Sequence, residues 1–243
     1  LKYDKLLTAI LLWSFASLSQ ANECVILLHG LARTADSMAP LGEKLQEHGY
    51  KVVNIDYPSR TMAIAELADI AVGEGLAQCQ EAPNSTINFV THSLGGILVR
   101  QYYSVHKPHN LGRVVMLGPP NNGSQVVDEF QHMPAFEWLN GPAGLQLGTG
   151  SNSVPINLGP VNFNLGIIAG TKSINPILSS FLPNPDDGKV SVASTKVEGM
   201  CGFIALPVTH PTMLKNKTVI SEVLSFLESG QFASPQAIHY CHQ

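Results

Sequence analysis

Residues 86–106 read Thr-Ile-Asn-Phe-Val-Thr-His-Ser-Leu-Gly-Gly-Ile-Leu-Val-Arg-Gln-Tyr-Tyr-Ser-Val-His. A strand-like run over 86–91 meets an amphipathic helical run over 94–106, so Ser93 falls on a tight strand-to-helix turn. A serine at such a turn is held in a strained backbone conformation that lifts its hydroxyl above the sheet edge. That is the nucleophile elbow, with the pattern G-x-S-x-G. Gly95 lets the turn pass close to its neighbours, and Gly96 lets the helix start pack on the strand. Thr91 departs from the pattern, standing where the first glycine is expected. A Ser-x-Gly alone is weak evidence; the strand before it and the helix after it supply the context it requires.

Working outward, the chain alternates strand and helix patterns. Residues 24–29 (CVILLH) form an unbroken apolar run, as in a strand buried on both faces. Residues 36–48 place Met38, Leu41, Leu45 and Gln46 at helical spacing, closed by Gly49. Residues 51–55 predict a second strand, and 64–80 a helix with Leu67, Ile70, Ala71 and Leu76 along one face. Further strands are predicted over 113–117, 165–169 and 203–208, with a closing helix over 217–227. The fold class is α/β: a mainly parallel, doubly wound sheet of about six strands with right-handed crossovers and both faces covered. Residues 118–160 break the rhythm. They are rich in Gly, Pro and Asn yet hold Phe130, Met133, Phe136, Trp138 and Leu139, and read as a cap-like insert within one domain spanning 22–243. The aromatic group Phe130, Phe136 and Trp138 suits either a small core for the insert or the wall of an apolar acyl cleft.

A nucleophilic serine needs a base and needs donors aimed at the oxyanion of its tetrahedral intermediate. His210 follows the last strand, at a carboxyl end where sites of α/β sheets lie. Pro185-Asp186-Asp187-Gly188-Lys189-Val190 offers the orienting acid. Asp187 is a candidate and Asp186 its rival, since two neighbours cannot both hold the same imidazole nitrogen. The order Ser93, Asp187, His210 is the order of this strand-turn-helix hydrolase architecture. Gly30 turns the chain so that the N–H of Leu31 faces the site, and the N–H of Leu94 adds the positive helix end. His29 is expected to hold the oxyanion loop, and His92 to point away from the serine hydroxyl. Asp128, Glu129, Glu43 and Glu47 suit solvated helix faces.

Hydrophobic residues make up 44% of the 243 and charged residues 13%, enough apolar content for one substantial core and too little charge for a disordered chain. The formal charge of −4 comes without a basic cluster, which argues against nucleic acid as a partner. Lys2 and Lys5 precede an apolar stretch over 6–18, followed by Ser19-Gln20-Ala21. This is the pattern of a secretory leader over 1–21, and the stretch is short for a membrane-spanning helix. A secreted or periplasmic location is therefore expected, without a stable membrane span. The even set Cys24, Cys79, Cys201 and Cys241 then favours two disulfides over free thiols. His239, Cys241 and His242 lack the spaced pairs of a zinc site and read as a tail.

The combination of His29-Gly30-Leu31, Thr91-His92-Ser93-Leu94-Gly95-Gly96, Pro-Pro-Asn-Asn-Gly-Ser over 119–124, Asp187-Gly188-Lys189-Val190 and Val208-Thr209-His210 resembles the secreted bacterial α/β-hydrolase lipases and esterases. It is most similar to the small group whose minimal core lacks the first two strands of the full fold. The resemblance implies a Ser–His–Asp acyl hydrolase with Leu31 and Leu94 as oxyanion donors, and it favours Asp187 as the acid standing directly before the glycine. Related esterases tolerate Thr at the position of Thr91. The implied substrate is a small-molecule ester or lipid, with no metal or organic cofactor and a monomeric chain. With that family's strand order, Cys24–Cys79 and Cys201–Cys241 are the expected bridges of three possible pairings. Two other outcomes stay open: an acyltransferase or thioesterase using the same acyl-enzyme, and a non-catalytic binding protein of hydrolase shape. The low charge of the chain suits uncharged, partly apolar esters.

Overall fold

In a computed structural model of the chain, residues 23–79 and 86–241 are described. The leader expected over 1–21 lies outside them, as does the last residue, Gln80, of the helix expected over 64–80.

The strands are β1 (Glu23–Leu28), β2 (Lys51–Ile55), β3 (Thr86–His92), β4 (Leu111–Leu117), β5 (Asn164–Gly170), β6 (Gly202–Leu206) and β7 (Ile238–His239). They form one sheet in the order β2-β1-β3-β4-β5-β6-β7, parallel except for β7. The apolar run of β1 is explained by its two covered faces. Cys24, Ile26 and Leu28 join the core shared with α2 (Ile64–Cys79) and α3 (Leu94–Val105). Val25 and Leu27 join the opposite core, with α1 (Ala39–Glu47) and α9 (Lys217–Ser229).

Chain order reverses direction across the sheet between β1 and β3. Crevices above the carboxyl ends of strands at such a switch point are where α/β sheets bind ligands. The His29-Gly30-Leu31 loop and Ser93 both leave the sheet there.

Four details differ from the sequence-based expectation. The 36–48 helix begins as a 3-10 turn over Ala35–Met38 before α1 proper. Ile70 is not on the buried face of α2: it is 39% exposed, and the face runs through Ile64, Leu67, Ala68, Ala71, Val72 and Gly75. β6 stops at Leu206 because Pro207 has no N–H to continue the ladder. A seventh strand, β7, was not anticipated. It is two exposed residues long and antiparallel, and it is held beside β6 by the Cys201–Cys241 bridge.

Both disulfides, Cys24–Cys79 and Cys201–Cys241, join the expected partners. Both lie near the amino ends of the parallel strands, opposite the Ser93 edge.

The insert consists of α4 (Gln125–Phe130), α5 (Pro134–Leu145) and α6 (Val154–Asn157); α7 (Pro176–Ser179) and α8 (Val192–Thr195) follow in later loops. Arg100 on α3 is its anchor. The buried guanidinium donates to the carbonyls of Asn121 (2.9 Å), Pro155 (3.1 Å) and Gly159 (2.7 Å), tying both ends of the insert to one helix. Burial lowers its pKa to about 10. The helix α5 breaks at Gly141, where φ is 64°, and a side chain there would collide with the Arg60 carbonyl 1.7 Å away.

Candidate active site

Ser93 sits between β3 and α3 with φ 52° and ψ −117°, a left-handed conformation that a non-glycine residue adopts at a cost of about 1–3 kcal/mol. The strain persists because the surroundings leave no alternative. The Ser93 N–H is bonded to the Leu117 carbonyl at 2.9 Å, which pins the turn to β4. A Cβ on Gly95 would lie 2.6 Å from the Leu28 carbonyl oxygen and 3.0 Å from that of His29, so only glycine lets α3 start this close to β1. Leu94 is the first residue of α3, and its N–H has no intrahelical partner by geometry. The N–H of Leu31 likewise has no hydrogen-bond partner among the described residues. A Cβ on Gly30 would lie 3.3 Å from the Ser93 Cβ, which places the Leu31 loop directly against the serine.

Asp187 and His210 meet through two hydrogen bonds. The imidazole Nδ1 is 2.7 Å from Asp187 Oδ2, and the His210 backbone N–H donates to the Asp187 carbonyl at 2.9 Å. The other carboxylate oxygen, Oδ1, accepts from the N–H groups of Lys189 (3.0 Å) and Val190 (2.8 Å). A carboxylate so surrounded by donors acts only as an acceptor, so Nδ1 of His210 carries the proton and Nε2 is left with a free lone pair. Asp186 is turned elsewhere. Its Oδ1 accepts from the Gly188 N–H (2.7 Å) and its Oδ2 from the Ser179 hydroxyl. The Asp187–His210 pair abuts β4: a Cβ on Gly118 would lie 3.0 Å from Asp187 Oδ2 and 3.1 Å from His210 Nδ1. Ser93 is bonded to the preceding residue, Leu117.

A family model described as alpha/beta hydrolase fold matches residues 23–145. The chain belongs to the alpha/beta hydrolase fold family. That match contains the Leu31 loop and Ser93; Asp187 and His210 lie beyond it. Among solved structures, this chain is similar to the mature form of lipase BlEst2 from Bacillus licheniformis, at 18% identity over 85% of this chain and 92% of that one, with a TM-score of 0.68. It is similar to Aspergillus fumigatus lipase B at 16% identity over 92% of this chain and 56% of that one, with a TM-score of 0.65. A metagenomic carboxyl esterase, MGS0156, aligns at 18% identity over 87% of this chain and 71% of that one, with a TM-score of 0.64. At these identities the likeness is one of fold. No curated protein matches the sequence.

Two histidines brace the candidate site. His29 is fully buried and stacked on Tyr57, with ring centroids 4.0 Å apart. Its Nδ1 donates to the Gly30 carbonyl at 2.9 Å and its Nε2 accepts from the Tyr57 N–H at 3.3 Å, so one neutral tautomer satisfies both. The Tyr57 hydroxyl closes the bracket on the His29 carbonyl. Burial lowers the His29 pKa and raises that of Tyr57. His92 lies beneath His210, with ring centroids 4.6 Å apart, and its Nε2 donates to the His210 carbonyl at 3.0 Å. Burial, then the nearby His210, hold His92 well below the ordinary histidine range. No local pattern in the sequence assigns His92 this partner, because the contact joins residues 118 positions apart.

Asp128 corrects another expectation. Rather than facing solvent, it accepts from the N–H (2.8 Å) and hydroxyl (2.6 Å) of Thr149 and so clips the insert closed. The three aromatics of the insert do not form one cluster. Phe130 meets Phe181 edge-on, Phe136 packs on the main core, and Trp138 is 80% exposed. Among the described residues no group of three or more His, Cys, Asp or Glu could hold a metal ion.

Proposed function

We propose that this chain is a serine hydrolase of carboxylic esters, of the lipase or esterase kind, working through an acyl-enzyme. The observation that carries the reading is the strained Ser93 at the β1/β3 switch point, against a loop with a free N–H and close to a hydrogen-bonded Asp–His pair. Binding alone requires none of these groups.

In this mechanism Nε2 of His210 takes the Ser93 proton as Oγ attacks the ester carbonyl. The N–H groups of Leu31 and Leu94 receive the oxyanion; each such donor contributes about 10²–10³ in rate. His210 then protonates the leaving alcohol, and water admitted to the acyl-enzyme reverses the sequence to release the acid. Asp187 keeps the proton of His210 on Nδ1 throughout. The chemistry draws on side chains and backbone alone.

Two disulfides and the leader pattern over 1–21 support export to an oxidising compartment, and no described helix is long and apolar enough to cross a membrane. The decisive experiment is active-site labelling with a fluorophosphonate, followed by peptide mapping. The label is expected on Ser93, with loss of 4-nitrophenyl butyrate hydrolysis in step with labelling. A fully labelled protein that keeps its activity, or a label on another serine, would overturn the reading.

A further inference from the structure

A concavity opens beside the candidate oxyanion loop. It has a volume of about 630 Å³ and lies between the 32–37 and 56–61 loops, lined by Arg33, Thr34, Ser37, Ser59, Arg60 and Thr61 among others. The volume suits a small-molecule group, and the wall sets charged and hydroxyl side chains beside Ala32, Tyr57 and Pro58. It is continuous with the site through the backbone. Ala32, which follows Leu31 and has φ 55°, donates its N–H to Ser59 Oγ at 3.0 Å, joining the two loops that form the walls.

Two arginines line this cleft, and neither Arg33 nor Arg60 has an ion pair or side-chain hydrogen bond among the described residues. The lining carboxylate, Asp56, accepts the Ala35 N–H at 2.9 Å, and its single negative charge offsets only one of the two arginines. A third cation stands within electrostatic reach. Lys189 follows the Asp187-Gly188 turn, and its ammonium is held below the ordinary lysine range by desolvation and then by the positive charge of Arg33, against the pull of Asp187. In a chain of net charge −4 with only 13% charged residues, like charges gathered beside a reaction centre leave an electrostatic deficit that an anion would fill. Guanidinium pairs hold carboxylates and phosphates through paired N–H bonds.

We propose that this cleft receives an anionic group, a carboxylate or a phosphate, borne by the ester that Ser93 attacks. The inference rests on the ester-hydrolase reading above and narrows its substrate class. It also revises the expectation of uncharged esters drawn from overall composition.

The test compares kcat/KM within two pairs of probes. Mono-4-nitrophenyl adipate is set against its neutral methyl ester, and 1-butyrylglycerol 3-phosphate against 1-butyrylglycerol, the latter pair followed by acid release. The expected result is a preference for the charged member of at least one pair by roughly 10-fold at low salt. The pair that shows it separates an acyl-side carboxylate from an alcohol-side phosphate. That ratio should fall to about 2-fold or less in R33Q/R60Q and in 1 M NaCl, where the screening length shrinks to about 3 Å. The ratio is internal to each preparation, so a partly unfolded variant does not distort it. Equal or poorer turnover of both charged probes, or a preference that survives R33Q/R60Q, would overturn the inference while leaving ester hydrolysis intact. Failure to hydrolyse any probe, neutral ones included, together with no label on Ser93, would overturn the hydrolase reading and this inference with it.

Discussion

The two ends of one sheet are built on opposite principles. At the amino end, strands are tied by covalent bonds and satisfied polar contacts. Cys24 and Cys201 open β1 and precede β6, each bridged to a distant segment, and Asn88 receives from Arg113 while donating to Glu23. At the carboxyl end, only five residues later than Asn88, the backbone is strained at Ser93 and two buried polar atoms, Thr91 Oγ1 and His92 Nδ1, have no partner among the described residues. The covalent ties lie where nothing reacts and the strained serine backbone where the candidate chemistry lies, while partnerless buried atoms occur at both ends among the described residues, Arg113 Nε at the amino one. Substitutions at the two ends should therefore separate activity from stability.

The largest effect belongs to the carboxyl end. Asp187→Asn should lower kcat about 10⁴-fold, because an amide can present a donor to Nδ1 and favour the wrong tautomer. The melting temperature should change far less than activity, and Asp186→Asn should leave kcat within about 10-fold, the rate ratio being read on 4-nitrophenyl butyrate. Equal losses in the two variants would break the assignment of the acid.

At the amino end the ranking reverses. The bridge Cys24–Cys79 closes 55 residues of chain, so its removal by Cys24→Ala and Cys79→Ala should cost about 4 kcal/mol of stability in chemical denaturation. The folded fraction should keep its kcat/KM, since the bridge lies at the far end of β1. A matching fall in activity per folded molecule would show that the two ends are mechanically coupled.

How much of this was legible in the sequence depended on the range of the interaction. The buried strands, the elbow and the flanking glycines are local patterns, and β1 and β2 could be placed from the run of apolar residues alone. The disulfide partners followed once strand order was supplied by resemblance. What escaped were contacts between segments remote in the chain, such as His92 under His210, Arg100 holding the insert, and Asp128 clipping Thr149. Each residue type has a common surface or core role, and no periodicity records which distant carbonyl or hydroxyl it will meet. β7 was invisible for the same reason. Its two exposed residues carry no strand signal, and their pairing depends on a disulfide made elsewhere.

A smaller effect should follow pH. His29 and His92 have folded-state pKa values below their ordinary value of 6.5, so the unfolded chain binds more protons in the acid range. Their neutral forms give full stability above pH 6.5, and this is lost as the pH falls through 6.5 toward the folded values. The melting temperature should thus decline on acidification from pH 8 to about 5.5, and His92→Asn should flatten the slope while lowering stability at pH 8. A slope unchanged in His92→Asn would mean that other groups set the acid limit.

The smallest effect tests the uncompensated hydroxyl itself. Thr91 is fully buried, and its Oγ1 has no hydrogen-bond partner among the described residues. Thr→Val in a core is ordinarily costly because it deletes a hydrogen bond; here there is none to delete, and a methyl in place of the hydroxyl preserves the volume against Met116 and Gly96. Thr91→Val should therefore be neutral or stabilising by up to about 1 kcal/mol, the desolvation cost of an unpaired hydroxyl being removed. Activity should follow the same logic: Thr91 Oγ1 lies against Gly96 in the first turn of α3, 3.2 Å from where a Cβ there would sit, so kcat should stay within about 2-fold. A loss of stability would mean that the hydroxyl is satisfied in solution, and the cost at the carboxyl end would then reside in the Ser93 backbone and His92 alone.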